Sequence, residues 1–318
     1  MVAILDNLTV GCRHMDELRF DGRAVVVTGA GRGFGRCHAE LLASRGAKVV
    51  VADYGVNLDG SGSSSEPAHE VVAGIRDAGG EAVAAFADVS DEAAAASIVQ
   101  AAIDNFGRID AVVNNAGIAD PAWFEDAPTE QFRRMINVHY LGTVYVCKAA
   151  WPHFQKAGYG RIVNTASEAV IGSVPKAPSY CGAKGAVFTF TRNLAIDGIR
   201  HGIRANAIAP RGNTRLSAPS VLAFTFDQPE DAFDNPFMNQ MTPEKTSPTV
   251  AYLAHESCAV NGETFICGMG MVARLTLVAV PGFTSETMTP EAVAENLDTI
   301  MDLTDAVVQD AVPMQHSG

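Results

Sequence analysis

The stretch Ala24-Val25-Val26-Val27-Thr28-Gly29-Ala30-Gly31-Arg32-Gly33-Phe34-Gly35 decides the fold. A β-branched run feeds directly into a glycine-rich turn, and the turn opens an Ala- and Leu-containing stretch, Gly33 to Arg45, with helical spacing. In a strand-turn-helix context glycines carry a mechanism. They let the backbone turn sharply and approach a pyrophosphate, whose charge is attracted by free N–H groups and the dipole at the helix start. The next strand, Lys48 to Asp53, ends on a carboxylate eighteen residues beyond Gly35. An acid there can accept both adenosine ribose hydroxyls and repels a 2′-phosphate, which predicts NAD rather than NADP. Arg32, a cation within the turn, pulls the other way, and Asp53 carries the greater weight.

Outward from this unit the alternation continues. Strands read at 81–86, 111–114, 161–165, 204–208 and 263–267, separated by helices near 66–78, 91–106, 129–156, 180–200 and 246–255. Such alternation implies right-handed βαβ units and an α/β doubly wound parallel sheet covered on both faces. No internal repeat or interdomain linker interrupts it. We expect one domain at 21–270, preceded by an extension at 1–20 and followed by another at 271–318. Asn57 to Pro67 reads as a Gly/Ser-rich surface loop. A lid is expected over about 215–246, where Phe224, Phe226, Phe233, Phe237, Met238 and Met241 are too irregular for one helix face. Thr289-Pro290-Glu291 gives an N-cap, a first-turn proline and an early acid, followed by Val293, Leu297, Ile300 and Thr304 at helical spacing. A docked C-terminal helix is expected.

The 318 residues are 47% hydrophobic and only 19% charged, which supplies a large core and excludes a disordered chain. Apolar runs such as Leu275 to Val280 are far shorter than the roughly 20 residues that span a bilayer. Residues 1–16 lack an export signal, so a cytoplasmic protein is expected. Six scattered cysteines contain no C-x-x-C pair, which argues against a metal site or a disulfide framework. The formal net charge of −13 disfavours nucleic acid and anionic membranes as partners. After Arg215 there are fourteen acidic residues against Lys245 and Arg274, so the lid and tail carry about −12 of it.

Tyr180 and Lys184 stand four residues apart at the start of a predicted helix, on one face of adjacent turns. Ser167 lies thirteen residues upstream, just after a strand. A tyrosine with a pKa near 10 is a poor base at neutral pH, and an ammonium and an oxidised nicotinamide beside it would stabilise the phenolate.

These motifs together resemble the short-chain dehydrogenase/reductase superfamily: T-G-x-x-x-G-x-G at Thr28 to Gly35, N-N-A-G at Asn114 to Gly117, and Ser167, Tyr180 and Lys184 as S…Y-x-x-x-K. The resemblance covers about residues 20–270. Arg32 stands where the epimerase-type members carry glycine, which disfavours that branch. The resemblance implies a Rossmann-like sheet, with Tyr180 as general base for alcohol oxidation and acid for ketone reduction. Lys184 would lower its pKa and bind the nicotinamide ribose, and Ser167 would hold the substrate oxygen. Cofactor contacts are implied for Gly29, Arg32, Gly33, Phe34 and Gly35 in the turn and for Asp53. Asp88 with Val89 would meet the adenine, Asn114, Ala116 and Gly117 would shape the adenosine side, and Pro210 would begin the loop beside the nicotinamide. Tyr180 and Lys184 count among the cofactor contacts as well. The family's fourth catalytic group is an Asn three residues before a helix glycine; counting back from Gly142 places His139 there, and Asn137 lies on a different helix face. His139 is either part of the same water relay or a core histidine with one satisfied nitrogen.

Several segments together are similar to the (3R)-hydroxyacyl-CoA dehydrogenase domain of the multifunctional β-oxidation enzymes, a domain also associated with 17β-hydroxysteroid oxidation. They are 18–23, the Gly/Ser insert, Asn206 to Pro210, His255 to Cys258, Asn261-Gly262 and Thr289 to Val293. The expected activity is NAD-dependent interconversion of a secondary alcohol and a ketone, most readily a 3-hydroxyacyl-CoA. The alternatives are a steroid or other bulky alcohol, or a cofactor-binding protein without turnover. A lid of aromatic and Met side chains suits a long acyl or steroid substrate, whereas an acidic lid and tail suit coenzyme A poorly. With the chain ending at Gly318 a stand-alone dehydrogenase is expected, and the resemblance implies a homodimer or homotetramer.

Overall fold

Residues 16–312 are described in a computed structural model, so most of the expected extension at 1–20, with Cys12, lies outside the described residues. Seven parallel strands form the sheet: β1 (Ala24–Thr28), β2 (Lys48–Ala52), β3 (Glu81–Ala85), β4 (Ala111–Asn114), β5 (Gly160–Thr165), β6 (Ile203–Pro210) and β7 (Thr264–Gly268). An antiparallel strand, β8 (Met271–Leu275), closes the edge, in the order β3-β2-β1-β4-β5-β6-β7-β8. The sheet therefore runs past the boundary expected at 270. Because β8 follows β7 by a tight turn at Met269-Gly270, both at positive φ, it pairs antiparallel without a crossover helix.

The helices are α1 (Gly33–Ser44), α2 (Glu66–Asp77), α3 (Glu92–Phe106), α4 (Thr129–Met135), α5 (Gly142–Ala157), α6 (Pro178–Gly198), α7 (Pro219–Phe226), α8 (Pro236–Asn239), α9 (Ser247–Ala254), α10 (Pro290–Glu295) and α11 (Leu297–Met301). Side chains alternate across the strands, and both faces are buried. Val25, Val27, Val49 and Val51 pack with Leu42, Val71 and Leu253 of α1, α2 and α9. Val26, Val50 and Val112 pack on the opposite face with Ile98, Phe154 and Leu194 of α3, α5 and α6. This explains why the strands read as continuous Val-rich runs. β1 pairs with β2 on one side and β4 on the other, so the chain winds away from it in both directions. That reversal opens a crevice at the carboxyl ends of the strands, which is where the site lies.

Two expectations change, at the 129–156 helix and at the C-terminal helix. The helix read over 129–156 contains a π-helical turn, Ile136–Leu141, between α4 and α5. The segment expected as a lid, 215–246, folds as α7, α8 and short 3₁₀ turns, in keeping with its irregular apolar spacing. The C-terminal helix is not docked. Thr289 does cap α10, accepting the Ala292 N–H at 3.1 Å, but the helix breaks at Asn296. Val293, Leu297, Met301 and Leu303 are exposed. The helical spacing is present, yet the segment is an excursion between two short strands, β9 (Val278–Ala279) and β10 (Val307–Val308), that pair antiparallel. Its apolar side chains stay exposed, so amphipathicity did not translate into burial.

Candidate active site

The cleft at the carboxyl ends of β1, β4, β5 and β6 has a volume of about 640 Å³. One wall is the glycine turn. Gly29 (φ 63) and Gly33 (φ 53) hold left-handed backbone, and a Cβ on Gly29 would stand 2.7 Å from the Ala116 Cα. Gly35 faces away from the cleft: a Cβ there would stand 2.2 Å from the Gly29 carbonyl oxygen. It lets α1 pack on the turn and is not a cleft-lining residue. Gly29, Arg32, Gly33 and Phe34 do line the cleft, as do Asp53, Asp88, Val89 and Pro210. Asp53 is fixed by two backbone donors, Gly31 N–H to Oδ2 at 2.7 Å and Gly55 N–H to Oδ1 at 2.6 Å. Both oxygens keep a lone pair for a further donor.

Asn114 departs from the sequence reading. It is buried beneath the cleft floor, with Nδ2 donating to Asn164 Oδ1 at 2.9 Å and to Cys147 Sγ at 3.3 Å, and it ties β4 to β5. The reason is strand alternation: Asn114 faces the α5 layer, and its neighbour Asn115 turns toward the cleft. Asn115 Nδ2 donates to the carbonyls of Thr28 and Gly29, both at 3.1 Å, while Thr28 Oγ1 accepts the N–H groups of Asn115 and Ala116. Ala116 and Gly117 follow along the cleft wall.

Ser167, Tyr180, Lys184 and His139 converge on the opposite wall. Ser167 leaves β5 in extended conformation and caps the 3₁₀ turn that follows, accepting the Ala169 N–H at 3.1 Å. Pro178 starts α6, so Tyr180 and Lys184 sit on its first two turns and point into the cleft. Burial raises the Tyr180 phenol above its ordinary range, and a hydrogen bond with Ser167 works against that rise. Lys184 is 4% exposed, and burial pulls its ammonium down to about 7. Its Nζ donates to the Thr165 carbonyl at 2.6 Å and lies 5.7 Å from the Tyr180 ring centroid.

The π turn separates the two residues that competed for the fourth position. Asn137 is exposed, whereas His139 is 2% exposed and meets the Tyr180 ring edge-on at 5.3 Å between centroids. Burial first, and the nearby Lys184 second, hold His139 well below the usual imidazole range, so the ring is neutral. Nε2 lies 2.9 Å from the Ile118 carbonyl oxygen and 3.3 Å from the Ile118 backbone nitrogen, so an acceptor and a donor of one residue meet the same ring atom; Nδ1 is buried without a hydrogen-bond partner among the described residues. A Cβ on Gly117 would stand 2.6 Å from the His139 ring, so the ring in this position requires glycine at 117.

The cleft also contains residues that motif reading does not reach. Arg215 projects from the lid segment to the Val56 carbonyl at 3.3 Å, and Gly60 of the Gly/Ser loop lines the cleft. That loop is exposed on its outer side and packs inward on 118–119, with Ala119 N–H donating to the Leu58 carbonyl at 2.9 Å. Next to the cleft, and sharing Tyr180 and Leu216 with it, is an apolar slot of about 130 Å³ under α7. Among the described residues no helix is long and apolar enough to cross a membrane.

Residues 23–217 match the family model described as short chain dehydrogenase. The chain belongs to this family. As a short-chain dehydrogenase it is an oxidoreductase, and its relatives place it close to the dehydrogenase part of larger enzymes. It is 41% identical over 294 residues to the peroxisomal multifunctional enzyme type 2 of Mus musculus; the match takes in 91% of this chain and 38% of that protein's length. A crystal structure of a short chain dehydrogenase from Mycobacterium avium superimposes with a TM-score of 0.73 at 34% identity, covering 89% of this chain and 97% of that one. A 7α-hydroxysteroid dehydrogenase complexed with NADH and 7-oxo glycochenodeoxycholic acid superimposes with a TM-score of 0.67 at 27% identity, covering 79% and 95%.

Proposed function

We propose that this short-chain dehydrogenase uses NAD to oxidise a secondary alcohol carried on an apolar chain, with a 3-hydroxyacyl-CoA as the first substrate class. The observation that carries the proposal is the convergence of Ser167, Tyr180 and Lys184 in the cleft, with Tyr180 shared between the cleft and the apolar slot. A nicotinamide dinucleotide fits the turn, whose Gly29 and Gly33 line the cleft at positive φ, and the Asp53 carboxylate held by two N–H groups. The oxidised nicotinamide, when bound, supplies the two-electron acceptor and a positive charge beside the phenol. Ser167 Oγ holds the substrate oxygen, and Tyr180 Oη takes the hydroxyl proton. Because burial, with Cys181 adding to it, raises Tyr180, the reaction needs cationic neighbours to bring the phenol down, and Lys184 in its ammonium form, 5.7 Å from the ring centroid, would be one of them. Asp53 faces the ribose and disfavours a 2′-phosphate, while Arg32 and Arg215 serve the diphosphate. The same two cations, on the cleft rim, offset the unfavourable acidity of the lid and tail toward a phosphate-bearing substrate. The steroid dehydrogenase neighbour supports a second reading, a bulky cyclic alcohol without a CoA handle.

The test is a panel of 3-hydroxyacyl-CoAs, their CoA-free counterparts and hydroxysteroids, each with NAD and NADP. We expect turnover of acyl-CoA with NAD; equal rates with and without CoA would remove CoA recognition. Replacing Tyr180 with Phe should lower kcat by at least roughly a thousandfold with cofactor binding retained. Retained turnover would overturn the assignment, and an undiminished biological effect would favour the non-catalytic reading. We further propose a dimer or tetramer built on α5 and α6, supported by exposed Ile196 and Ile199; a monomer by light scattering would refute it.

A further inference from the structure

Lys176 is a buried lysine that the reaction does not use. It is 5% exposed and sits at φ 54, a left-handed conformation that a non-glycine residue keeps only where its surroundings hold it. Its Nζ donates to the Phe224 carbonyl at 2.6 Å and pairs with the Asp227 carboxylate. The ammonium lies 4.5 Å from the Phe224 ring centroid and 5.2 Å from that of Trp123. Asp227, the residue that ends α7, is itself at φ 52. On the other side, the Lys176 carbonyl accepts the Ala122 N–H at 2.7 Å. One ammonium thus joins the 121–124 segment, the 174–177 segment and the lid helix.

These three segments are the walls of the apolar slot. Pro121, Val174 and Ala177 face Val221, Leu222 and Phe226 of α7 across it. Among the described residues this is the polar tie between α7 and that wall, since Thr225 bonds within its own helix, to the Val221 carbonyl at 2.7 Å. A surface ion pair would contribute little, but here the lysine is desolvated, and charge-assisted bonds and aromatic faces replace its water.

We infer that Lys176 is a specificity-determining residue: its bonds to Phe224 and Asp227 set the width of the slot beside Tyr180, admitting a straight apolar chain and excluding a fused-ring skeleton. The inference rests on the proposed reading that the slot takes the apolar part of the alcohol. Lys176→Met keeps the apolar stem against Trp123 and Phe224 and removes the tie; Asp227→Asn, at an exposed carboxylate, weakens it with little risk to folding. For each variant, kcat and KM are measured for a straight-chain 3-hydroxyacyl-CoA, and a hydroxysteroid is measured as substrate or competitive inhibitor. Acrylamide quenching of tryptophan fluorescence, measured in a Trp151→Phe background, follows Trp123. The expected result is a fall of about tenfold in preference for the straight chain over the steroid in Lys176→Met, carried by KM and inhibition constants, and a smaller fall in Asp227→Asn. Quenching should rise in step. A preference within about twofold of the wild type while quenching rises overturns the inference and leaves the reaction standing. Should Lys176→Met fail to fold, Asp227→Asn decides by the same criterion. A wild-type enzyme that oxidises neither substrate removes the proposed reaction, and the inference with it.

Discussion

Replacing Lys184 with methionine should change how the cofactor-free enzyme's stability depends on pH. Lys184 is 4% exposed, its ammonium is pulled from 10.5 to about 7, and the cause is burial. In the unfolded chain this amine keeps its proton through pH 8.5, whereas in the folded chain it loses it above about pH 7. The unfolded state therefore binds more protons, and stability rises with pH across the window from about 7 to 10.5. Integrated between pH 6.5 and 8.5, this single group raises wild-type stability by about 2 kcal/mol. Methionine fills similar volume without a charge to desolvate, so the stability gap between Lys184→Met and wild type should shrink by about 2 kcal/mol over that window. The buried cysteines cancel in the difference; His139 loses the contribution of Lys184 in the variant, but burial, the larger cause, still holds it neutral across this window. Urea unfolding at constant ionic strength, with m compared between the two, provides the assay. A gap that stays constant with pH would refute the reasoning, because the ammonium would then be solvated or compensated in the folded state.

Asp53→Asn should relax the cofactor preference. A carboxylate and a phosphate charge about 5 Å apart repel by about 3 kcal/mol at an effective dielectric near 20, so the NAD-over-NADP ratio of kcat/KM should fall by about a hundredfold. An unchanged ratio would assign the preference elsewhere. His139→Ala should test the neutral ring against Tyr180: a water-relay role requires a displaced pH profile of kcat, and unchanged turnover across pH eliminates it.

The fold and the reacting groups were legible because their signals are local. A Val-rich strand, a glycine turn and a helix start lie within a dozen consecutive residues, and Tyr180 and Lys184 share a helix face by spacing alone. The strand-end position of Asp53 follows from the same counting. Other features depend on what the sheet brings together. Whether Asn114 or Asn115 faces the cleft is set by the pleat of β4, and whether His139 or Asn137 is buried is set by a π turn that no local pattern announced. The helical spacing after Thr289 was real, but whether that helix is buried depends on where the chain folds back. Lys176 and Asp227 are fifty-one residues apart and unremarkable singly; only their meeting under the lid gives them a role. Periodicity and caps act over one or two turns, so sequence determined the architecture and the reaction class. Desolvation and long-range pairing exist only in the folded chain, so the tertiary structure decided the protonation of Lys184 and His139 and the shape of the apolar slot.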